Sequence, residues 1–270
     1  MGGTDTSFTG SIPDLCDAYL VPLLFEAYAS DLARRAAETD PARILETAAG
    51  TGVVTRALAP LLGSHAHYVV SDLNQPMLDR AATRQGSDGR IVWRQADAMN
   101  LPFQDNGFDT VVCQFGAMFF PDRVDGYREA RRVLKGGGRF LFNVWDRIEE
   151  NEFARVVTEA VGAIFPSDPP RFLARTPHGY HDVERIKHEL RTAGFSGIEF
   201  ATLQQMSNAP NARHIAVAYC QGTPLRAEIE ARDPAGLEAA TARAAEAIAR
   251  TFGTGTVSGK IQAHVFVART

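Results

Sequence analysis

The sequence predicts an α/β fold in which a mainly parallel sheet is covered by helices on both faces. Strand-like apolar runs alternate with segments of helical length over residues 43–145. A turn of small residues at 48–52 joins the first strand to the first of these helices. The chain has 270 residues, a length that fits one large domain or one domain with a substantial cap.

The element boundaries follow from local sequence chemistry. Asn74 can cap a helix that has Pro76 in its first turn, and Asp182 can cap a later helix that ends at Gly194. The glycines at 136–138 stop a helix before the fifth strand, because glycine adopts positive φ without strain. Strands are predicted at about 43–49, 68–73, 91–96, 108–115, 139–145, 197–206 and 260–268. Helices are predicted at about 53–62, 76–85 and 122–134.

Composition excludes several function classes. The formal net charge of −4 argues against a nucleic-acid partner, and no apolar run of about 18 residues is available to span a membrane. The N-terminal residues lack the basic and apolar regions of an export signal. Cys16, Cys113 and Cys220 are widely spaced, which suits a reducing cytoplasm and excludes a thiolate zinc site. The histidines show no ligand spacing with carboxylates, so no metal is predicted.

The stretch from residue 43 to residue 72 indicates a nucleoside cofactor. The first strand ends in Glu46, and the second ends in Asp72, about 20 residues after the glycines of the turn. Small residues in the turn let a ligand lie against backbone N–H groups, because few side chains block its approach. An acid at the tip of the second strand is placed to bind both hydroxyls of a ribose.

Two features favour S-adenosylmethionine over a nicotinamide cofactor. A nicotinamide-binding turn reads G-x-G-x-x-G, and Thr55 stands where the third glycine would be. The carboxylate of Glu46 can lie opposite a positively charged amino-acid moiety, which S-adenosylmethionine carries and NAD does not. Asp97 and Ala98 follow the third strand, where a carboxylate can accept a hydrogen bond from an adenine amino group. Gln114 ends the fourth strand, at the sheet edge where ligands of open α/β folds bind.

The stretch from about residue 42 to 146 resembles the class I S-adenosylmethionine-dependent methyltransferases, most closely the type 11 small-molecule group. The matching segments are ILETAAGTG, VVSDLNQPML, ADAMNLPF, FDTVVCQFG and REARRVLKGGGRFLFNVWD. The resemblance implies a three-layer, Rossmann-like sheet of seven mostly parallel strands with an antiparallel last strand, plus helical cap segments. It implies methyl transfer to a small organic acceptor by in-line displacement at the sulfonium, with release of S-adenosylhomocysteine. The family usually has glycine where this chain has Ala48, a change that is tolerable if φ there stays negative.

The resemblance also implies roles for individual residues. Glu46, Ala48 and Gly50 would face the methionine part of the cofactor, and Asp72 would hold the ribose. The remaining cofactor contacts would come from Leu73 and Met77 at the adenine face, Asp97 and Ala98 at the adenine edge, and Gln114 below the sulfonium. The alternatives are plain core packing for Leu73 and Met77, and a cap or turn carboxylate for Asp72 and Asp97.

The expected organisation is a single methyltransferase domain over residues 1–270. The cofactor-binding core would occupy 42–146, after an N-terminal cap helix at 14–37. A cap insertion is predicted at 147–181, and a helical insertion at 208–256 between the last two strands. A surface helix at 234–252 would pack on the sheet. The oligomeric state stays open; a homodimer is compatible with this long helix.

No catalytic residue can be assigned, because methyl transfer depends mainly on alignment and water exclusion. The candidate bases are His178, Tyr180 and His181, with a surface loop as the alternative, and Tyr19 or Tyr28, with simple packing as the alternative. The candidate substrate pocket is aromatic and suggests an apolar or ring-containing acceptor. Its members are Tyr19, Phe25, Tyr28, Phe119 and Trp145.

Three other functions are weighed against a small-molecule methyltransferase. A non-catalytic sensor or partner subunit that only binds S-adenosylmethionine is favoured by Ala48. A NAD-dependent oxidoreductase is opposed by Glu46 and by the absent third glycine. DNA adenine methylation is opposed by Gln114-Phe115-Gly116, which stands where such enzymes carry Asn-Pro-Pro-Tyr.

Overall fold

A computed structural model describes residues 12–270 of the chain. Residues 1–11, which are part of the stretch where no export signal is expected, lie outside the described residues. The described chain forms two compact units, and each is treated by itself. The sheet unit comprises Glu26–Val144, His181–Leu203 and Ala263–Thr270. The helical unit comprises residues 12–25, Trp145–Tyr180 and Gln204–Gln262.

The strands form one seven-stranded sheet. They are β1 Arg43–Glu46, β2 His67–Asp72, β3 Ile91–Gln95, β4 Phe108–Gln114, β5 Leu134–Trp145, β6 Ser196–Ala209 and β7 Val257–Arg269. Their order is β3-β2-β1-β4-β5-β7-β6, and β1 to β5 pair in parallel. The N–H of Thr270 donates to Gly138 O, and that of Asp146 donates to Gln262 O, so β7 runs antiparallel to β5. The predicted seven-stranded sheet with an antiparallel last strand is confirmed.

Two of the described α-helices precede β1, and the others lie between the strands. The α-helices are α1 Ile12–Leu15, α2 Glu26–Ala37, α3 Val53–Leu58, α4 Gln75–Gln85, α5 Arg123–Val133, α6 Glu152–Gly162, α7 Phe172–Arg175, α8 Val183–Thr192, α9 Ala212–Gln221, α10 Leu225–Arg232 and α11 Leu237–Phe252. Among the described residues, no helix is both long enough and apolar enough to cross a membrane.

Two predicted helix caps have different outcomes. Asp182 caps α8, because its carboxylate accepts hydrogen bonds from the N–H groups of Glu184 and Arg185 at 3.0 and 3.1 Å. The side chain of Asn74 does not cap α4. The Asn74 N–H and amide instead donate to Asp72 Oδ1, at 2.8 and 3.4 Å. Asn74 is the N-cap residue of α4, as predicted, with Pro76 in the first turn, but its side chain makes no capping hydrogen bond.

The predicted N-terminal helix at 14–37 is not a single α-helix. Residues Cys16–Phe25 are π-helical and contain Pro22, whereas Glu26–Ala37 form the regular helix α2. Proline lacks a backbone N–H and so cannot complete a regular α-helical ladder. In the sheet unit, α2 buries Ala29, Leu32, Ala33 and Ala36 in a core shared with β1, β2, β4 and β5.

In the helical unit, α11 packs against α6 and α9. Its apolar stripe is buried, and the ring of Phe252 lies 5.0 Å from that of Phe153 between centroids. Packing of this helix on the sheet stays a prediction, and so does a homodimer. The buried residues of α11 are Ala240, Thr241, Ala244, Ala247 and Ile248.

Arg139 connects β5 to the C-terminal end of α2, and its loss is expected to destabilise the sheet unit. Its guanidinium donates to the carbonyls of Arg35 and Ala36 at 3.1 Å and to Thr39 Oγ1 at 2.8 Å. The residue is only 7% exposed, so Arg139→Met should lower the free energy of unfolding by about 2–3 kcal/mol, as expected for lost charged hydrogen bonds. Urea denaturation measures this change.

The matched control for Arg139→Met is Arg34→Met on α2. Arg34 is largely exposed and makes one 3.5 Å contact with Asp31. Exposed pairs of this kind contribute roughly 0–1 kcal/mol, so the control should leave the urea midpoint nearly unchanged. Equal destabilisation by the two variants would show that the hydrogen bonds from Arg139 to the end of α2 contribute no more stability than an exposed ion pair.

Candidate cofactor site

The turn between β1 and α3 presents its backbone to open space at one glycine and packs tightly at the other. Gly50 has φ of +56°, and a Cβ built on it would meet nothing within 4 Å. Gly52 has φ of +78°, and a Cβ there would lie 2.9 Å from the Cβ of Ala81 on α4. Gly52 thus permits close packing of the turn, whereas Gly50 leaves room for a ligand beside the backbone.

Asp72 ties the end of β2 to this turn. Its Oδ2 accepts from the N–H of Gly50 at 2.8 Å, and its Oδ1 accepts from that of Asn74 at 2.8 Å. Burial raises the pKa of the carboxyl above its ordinary value, and the hydrogen bonds from Asn74 and Gly50 offset part of that rise. Oδ2 has a further lone pair, so the ribose-binding and turn-forming interpretations of Asp72 are compatible.

Glu46 is buried beneath the turn and is fixed by two hydroxyl groups. Thr55 Oγ1 donates to Glu46 Oε2 at 2.7 Å, and Tyr68 OH donates to the same oxygen. Burial raises the pKa of Glu46 to about 7, although the hydrogen bonds from Tyr68 and Thr55 oppose the rise. The sequence analysis did not predict a role for Tyr68. It considered Thr55 only because this residue stands where a nicotinamide-binding turn has its third glycine.

Ala48 adopts φ of +52°, so the expectation of a negative φ at this position is wrong. The turn requires a left-handed residue there, which costs an L-amino acid other than glycine roughly 1–2 kcal/mol. The space for the methyl group comes from the end of β4. A Cβ built on Gly116 would lie 2.5 Å from the Cβ of Ala48, so glycine at 116 accommodates alanine at 48.

Ala48→Gly is expected to stabilise the protein. Glycine removes the left-handed strain, and the greater freedom of glycine in the unfolded chain offsets about 0.4–1 kcal/mol of that gain. The net increase in the free energy of unfolding should be about 0.5–1 kcal/mol, measured by chemical denaturation. The matched control is Ala49→Gly, because Ala49 is in the same turn and is not among the residues with positive φ. The control should destabilise; a loss of stability in both variants would contradict the assignment of strain to Ala48.

The two residues expected at the adenine face differ in exposure. Leu73 is 47% exposed, which excludes plain core packing for its side chain. Met77 is 4% exposed and belongs to the core in this structure. Asp97 is exposed, and its Oδ1 accepts from the N–H of Met99 at 2.9 Å, as a turn carboxylate does. Ala98 beside it is half-buried.

The ends of β4 and β5 complete this part of the sheet. Gln114 is half-buried and lies in register with Asn143 on β5. Phe115 follows with φ of +50°, and its N–H donates to the backbone carbonyl and to Oδ1 of Asn143, at 3.2 and 3.1 Å. Cys113 is a fully buried core residue, as expected, and burial raises the pKa of its thiol to about 11.

The structure thus brings most of the predicted cofactor residues to one edge of the sheet. Glu46, Asp72 and Gln114 end β1, β2 and β4, and the turn with Ala48 and Gly50 lies between them. In this strand order the sequence of connections reverses between β1 and β4, and ligands of open α/β sheets bind at that position. An open backbone glycine, a carboxylate and an exposed leucine fit a nucleoside with a ribose and a flat base.

Among the candidate bases, Tyr19, His178 and Tyr180 belong to the helical unit, whereas His181 belongs to the sheet unit. His178 and Tyr180 are 5% and 1% exposed, so the surface-loop interpretation is wrong for both. His178 Nδ1 donates to the carbonyl of Asp146 at 2.8 Å, which fixes the ring and places a proton on Nδ1. His181 is half-buried, and the ring of Tyr19 lies 4.6 Å from that of His214, tilted by 44°. Catalysis by any of these residues stays a prediction.

The aromatic pocket candidates are divided between the units. In the helical unit, the ring of Trp145 lies 6.2 Å from that of Phe25 and 6.0 Å from that of His178. In the sheet unit, Tyr28 is fully buried, and its OH donates to the carbonyl of Leu203 at 3.2 Å, as expected of a core residue. Phe119 is half-buried in the short helical turn Ala117–Phe119.

Comparison with known families identifies the relatives of this chain. Residues 24–217 match the model of the ubiE/COQ5 methyltransferase family. A relative from Ectopseudomonas mendocina, named ubiquinone/menaquinone biosynthesis C-methyltransferase UbiE, is 32% identical over 170 residues. The match covers 58% of this chain and 66% of the relative, so the chain spans just under two thirds of the relative's length.

Solved structures share the fold. The YcgJ protein from Bacillus subtilis superposes with a TM-score of 0.58 at 20% identity, covering 90% of this chain and 98% of that one. Phosphoethanolamine N-methyltransferase 2 from Haemonchus contortus, solved with phosphomonomethylethanolamine and S-adenosylhomocysteine, gives a TM-score of 0.52 at 17% identity. That match covers 97% of this chain and 60% of the other. At such identities the similarity shows the fold alone.

Proposed function

The chain belongs to the ubiE/COQ5 methyltransferase family and is an S-adenosylmethionine-dependent methyltransferase, and from this premise we propose that it methylates a ring carbon of a small hydroquinone or phenol. The observation that carries the proposal is the 32% identity to a quinone-biosynthesis C-methyltransferase over 170 residues. Membership in a methyltransferase family argues against the alternative of a NAD-dependent oxidoreductase. The three free cysteines of the described chain support a cytoplasmic location as part of the proposal.

The proposed reaction balances without an oxidant or a metal. A bond forms between the ring carbon and the methyl carbon, and the bond from that methyl to sulfur breaks with its electron pair left on sulfur. The ring carbon loses its proton, which is released to the bulk solvent, so the positive charge of the sulfonium is balanced by one proton. When bound, the cofactor supplies a methyl group already activated by its positive sulfur. The protein's contribution is to align the two reactants and to keep water away from them.

Residues of the sheet unit would hold the cofactor. Asp72 would accept hydrogen bonds from the ribose while it keeps Gly50 in place. Glu46 Oε2 already accepts from Thr55 and Tyr68, so Oε1 is the oxygen we assign to the ammonium group of the methionine moiety. The exposed side chain of Leu73 would pack against the adenine face.

A methyl-transfer assay with three classes of acceptor tests this proposal. The protein is incubated with S-adenosylmethionine and a short-chain demethylmenaquinol, a simple catechol or ethanolamine, and products are identified by mass and by NMR. We expect one added methyl group on a ring carbon of the quinol. Methylation on oxygen or nitrogen would overturn the proposed acceptor chemistry. Tight binding of S-adenosylhomocysteine without transfer to any acceptor would favour the non-catalytic sensor.

A further inference from the structure

Asn143 is a fully buried polar residue that the cofactor site described above does not use. It lies near the end of β5, in register with Gln114, the last residue of β4. Paired residues of neighbouring parallel strands project to the same face of a sheet, so the side chains of Asn143 and Gln114 share a face. The amide of Asn143 therefore lies at the carboxyl edge of the sheet, where this fold binds its ligands.

The orientation of the Asn143 amide is determined by the neighbouring strand. Its Oδ1 accepts from the N–H of Phe115 at 3.1 Å, and only the oxygen end of an amide can accept from a donor. The amino group, Nδ2, therefore lies at the other end. Among the described residues, Nδ2 is buried without any hydrogen-bond acceptor. An unsatisfied buried donor costs about 1–3 kcal/mol, a cost that a bound ligand can remove.

The backbone beside this amide is strained. Phe115, whose N–H is held by Asn143, has φ of +50°, and Ala48 in the adjoining turn has φ of +52°. A residue other than glycine keeps such a conformation only where its surroundings enforce it, and strain of this kind concentrates at ligand-binding sites. An unsatisfied buried donor and a strained residue thus meet at the same point of the sheet edge.

We propose that Asn143 Nδ2 donates a hydrogen bond to a ring oxygen of the methyl acceptor. The inference rests on the proposed function, because a hydroquinone or phenol presents such an oxygen beside the carbon that is methylated. The cofactor is expected at the switch point between β1 and β4, and β5 lies one strand beyond it, which assigns the amide to the acceptor. A donor at this position stabilises negative charge on the ring oxygen, which increases the reactivity of the ring carbon.

Asn143→Leu tests this inference, because it removes the donor at nearly constant volume. The Phe115 N–H keeps its hydrogen bond to the backbone carbonyl of residue 143. Binding of S-adenosylhomocysteine is measured by calorimetry, and binding of short-chain demethylmenaquinol to the product-loaded enzyme by equilibrium dialysis. We expect quinol affinity to fall at least about tenfold, as for a lost hydrogen bond to a charged group, and product affinity to stay within about twofold. The melting temperature should be unchanged or higher, because an unsatisfied buried group is lost.

Thr110→Val is the matched control. Thr110 Oγ1 is also buried without a partner among the described residues, and Thr110 lies on the same β4, four residues before Gln114. This control should leave the binding of both ligands unchanged. Asn143→Asp at pH 8 is a second variant, in case the leucine variant does not fold. Its carboxylate can still accept from the N–H of Phe115 but cannot donate, so it should also lose quinol affinity.

The outcomes separate the inference from the function on which it rests. Weaker binding of S-adenosylhomocysteine would assign the donor to the cofactor and overturn the assignment to the acceptor. Unchanged binding of both ligands would overturn the inference, as would a loss of both together with a lower melting temperature. A wild-type protein that neither binds nor methylates the quinol would overturn the proposed function, and this inference with it.

Discussion

Replacement of Asp72 by alanine is expected to reduce the affinity for S-adenosylhomocysteine about 100-fold. The variant lacks the carboxylate that would contact the ribose. It also loses the hydrogen bond that this carboxylate accepts from the N–H of Gly50 at 2.8 Å. Hydrogen bonds to a charged group contribute about 1.5–3 kcal/mol each, and about 2.7 kcal/mol corresponds to 100-fold in affinity. Isothermal titration of wild type and variant, with NAD as a second ligand, measures the effect.

Two controls keep this result interpretable. Asp97→Ala removes an exposed carboxylate whose Oδ1 accepts from Met99, so its effect should be several-fold smaller. Asp72→Asn keeps an acceptor for Gly50 and should bind more tightly than Asp72→Ala. If Asp72→Ala binds S-adenosylhomocysteine as wild type does, the ribose is not at the end of β2 and the proposed site is wrong.

The affinity for S-adenosylhomocysteine is expected to fall about tenfold for each pH unit below 7. Burial raises the pKa of Glu46 to about 7, and the ammonium group of the ligand requires the ionised carboxylate. Below that pH a proton competes with the ligand for the same group. Glu46→Gln should bind more weakly at pH 8 and lose this pH dependence. A wild-type affinity that is constant from pH 6 to pH 8 would contradict the pairing of Glu46 with the ammonium group.

The stability of the ligand-free protein should depend on pH in the opposite direction. The pKa of Glu46 is raised from 4.5 in the unfolded reference to about 7 in the folded state. A raised folded pKa contributes stability that is fully present below the unfolded pKa and is lost as the pH rises through the folded pKa. Between pH 5 and pH 8 this contribution to the free energy of unfolding should decrease by on the order of 2–3 kcal/mol. Urea denaturation of the wild type and of Glu46→Gln at both pH values measures the difference. An identical pH dependence in both proteins would show that Glu46 is not the group responsible.

Much of the cofactor site could be predicted because its parts lie close together in the chain. Glu46, the small-residue turn and Asp72 occur within one strand–helix–strand segment, and parallel pairing brings the ends of β1 and β2 to one edge. Exposure could not be predicted in the same way. Leu73 and Met77 are both apolar and are four residues apart in the sequence, yet one is exposed and the other is buried.

The sequence by itself determined the order of the strands and helices, the carboxylates at the strand ends and the class of cofactor, because apolar period and turn chemistry are properties of neighbouring residues. Only the tertiary structure decided the protonation of Glu46, the left-handed conformation of Ala48 and the unsatisfied amino group of Asn143. Tyr68 is 22 residues from Glu46, and Phe115 is 28 residues from Asn143. These groups meet only when the sheet forms, and burial then sets their pKa values and leaves a donor without water.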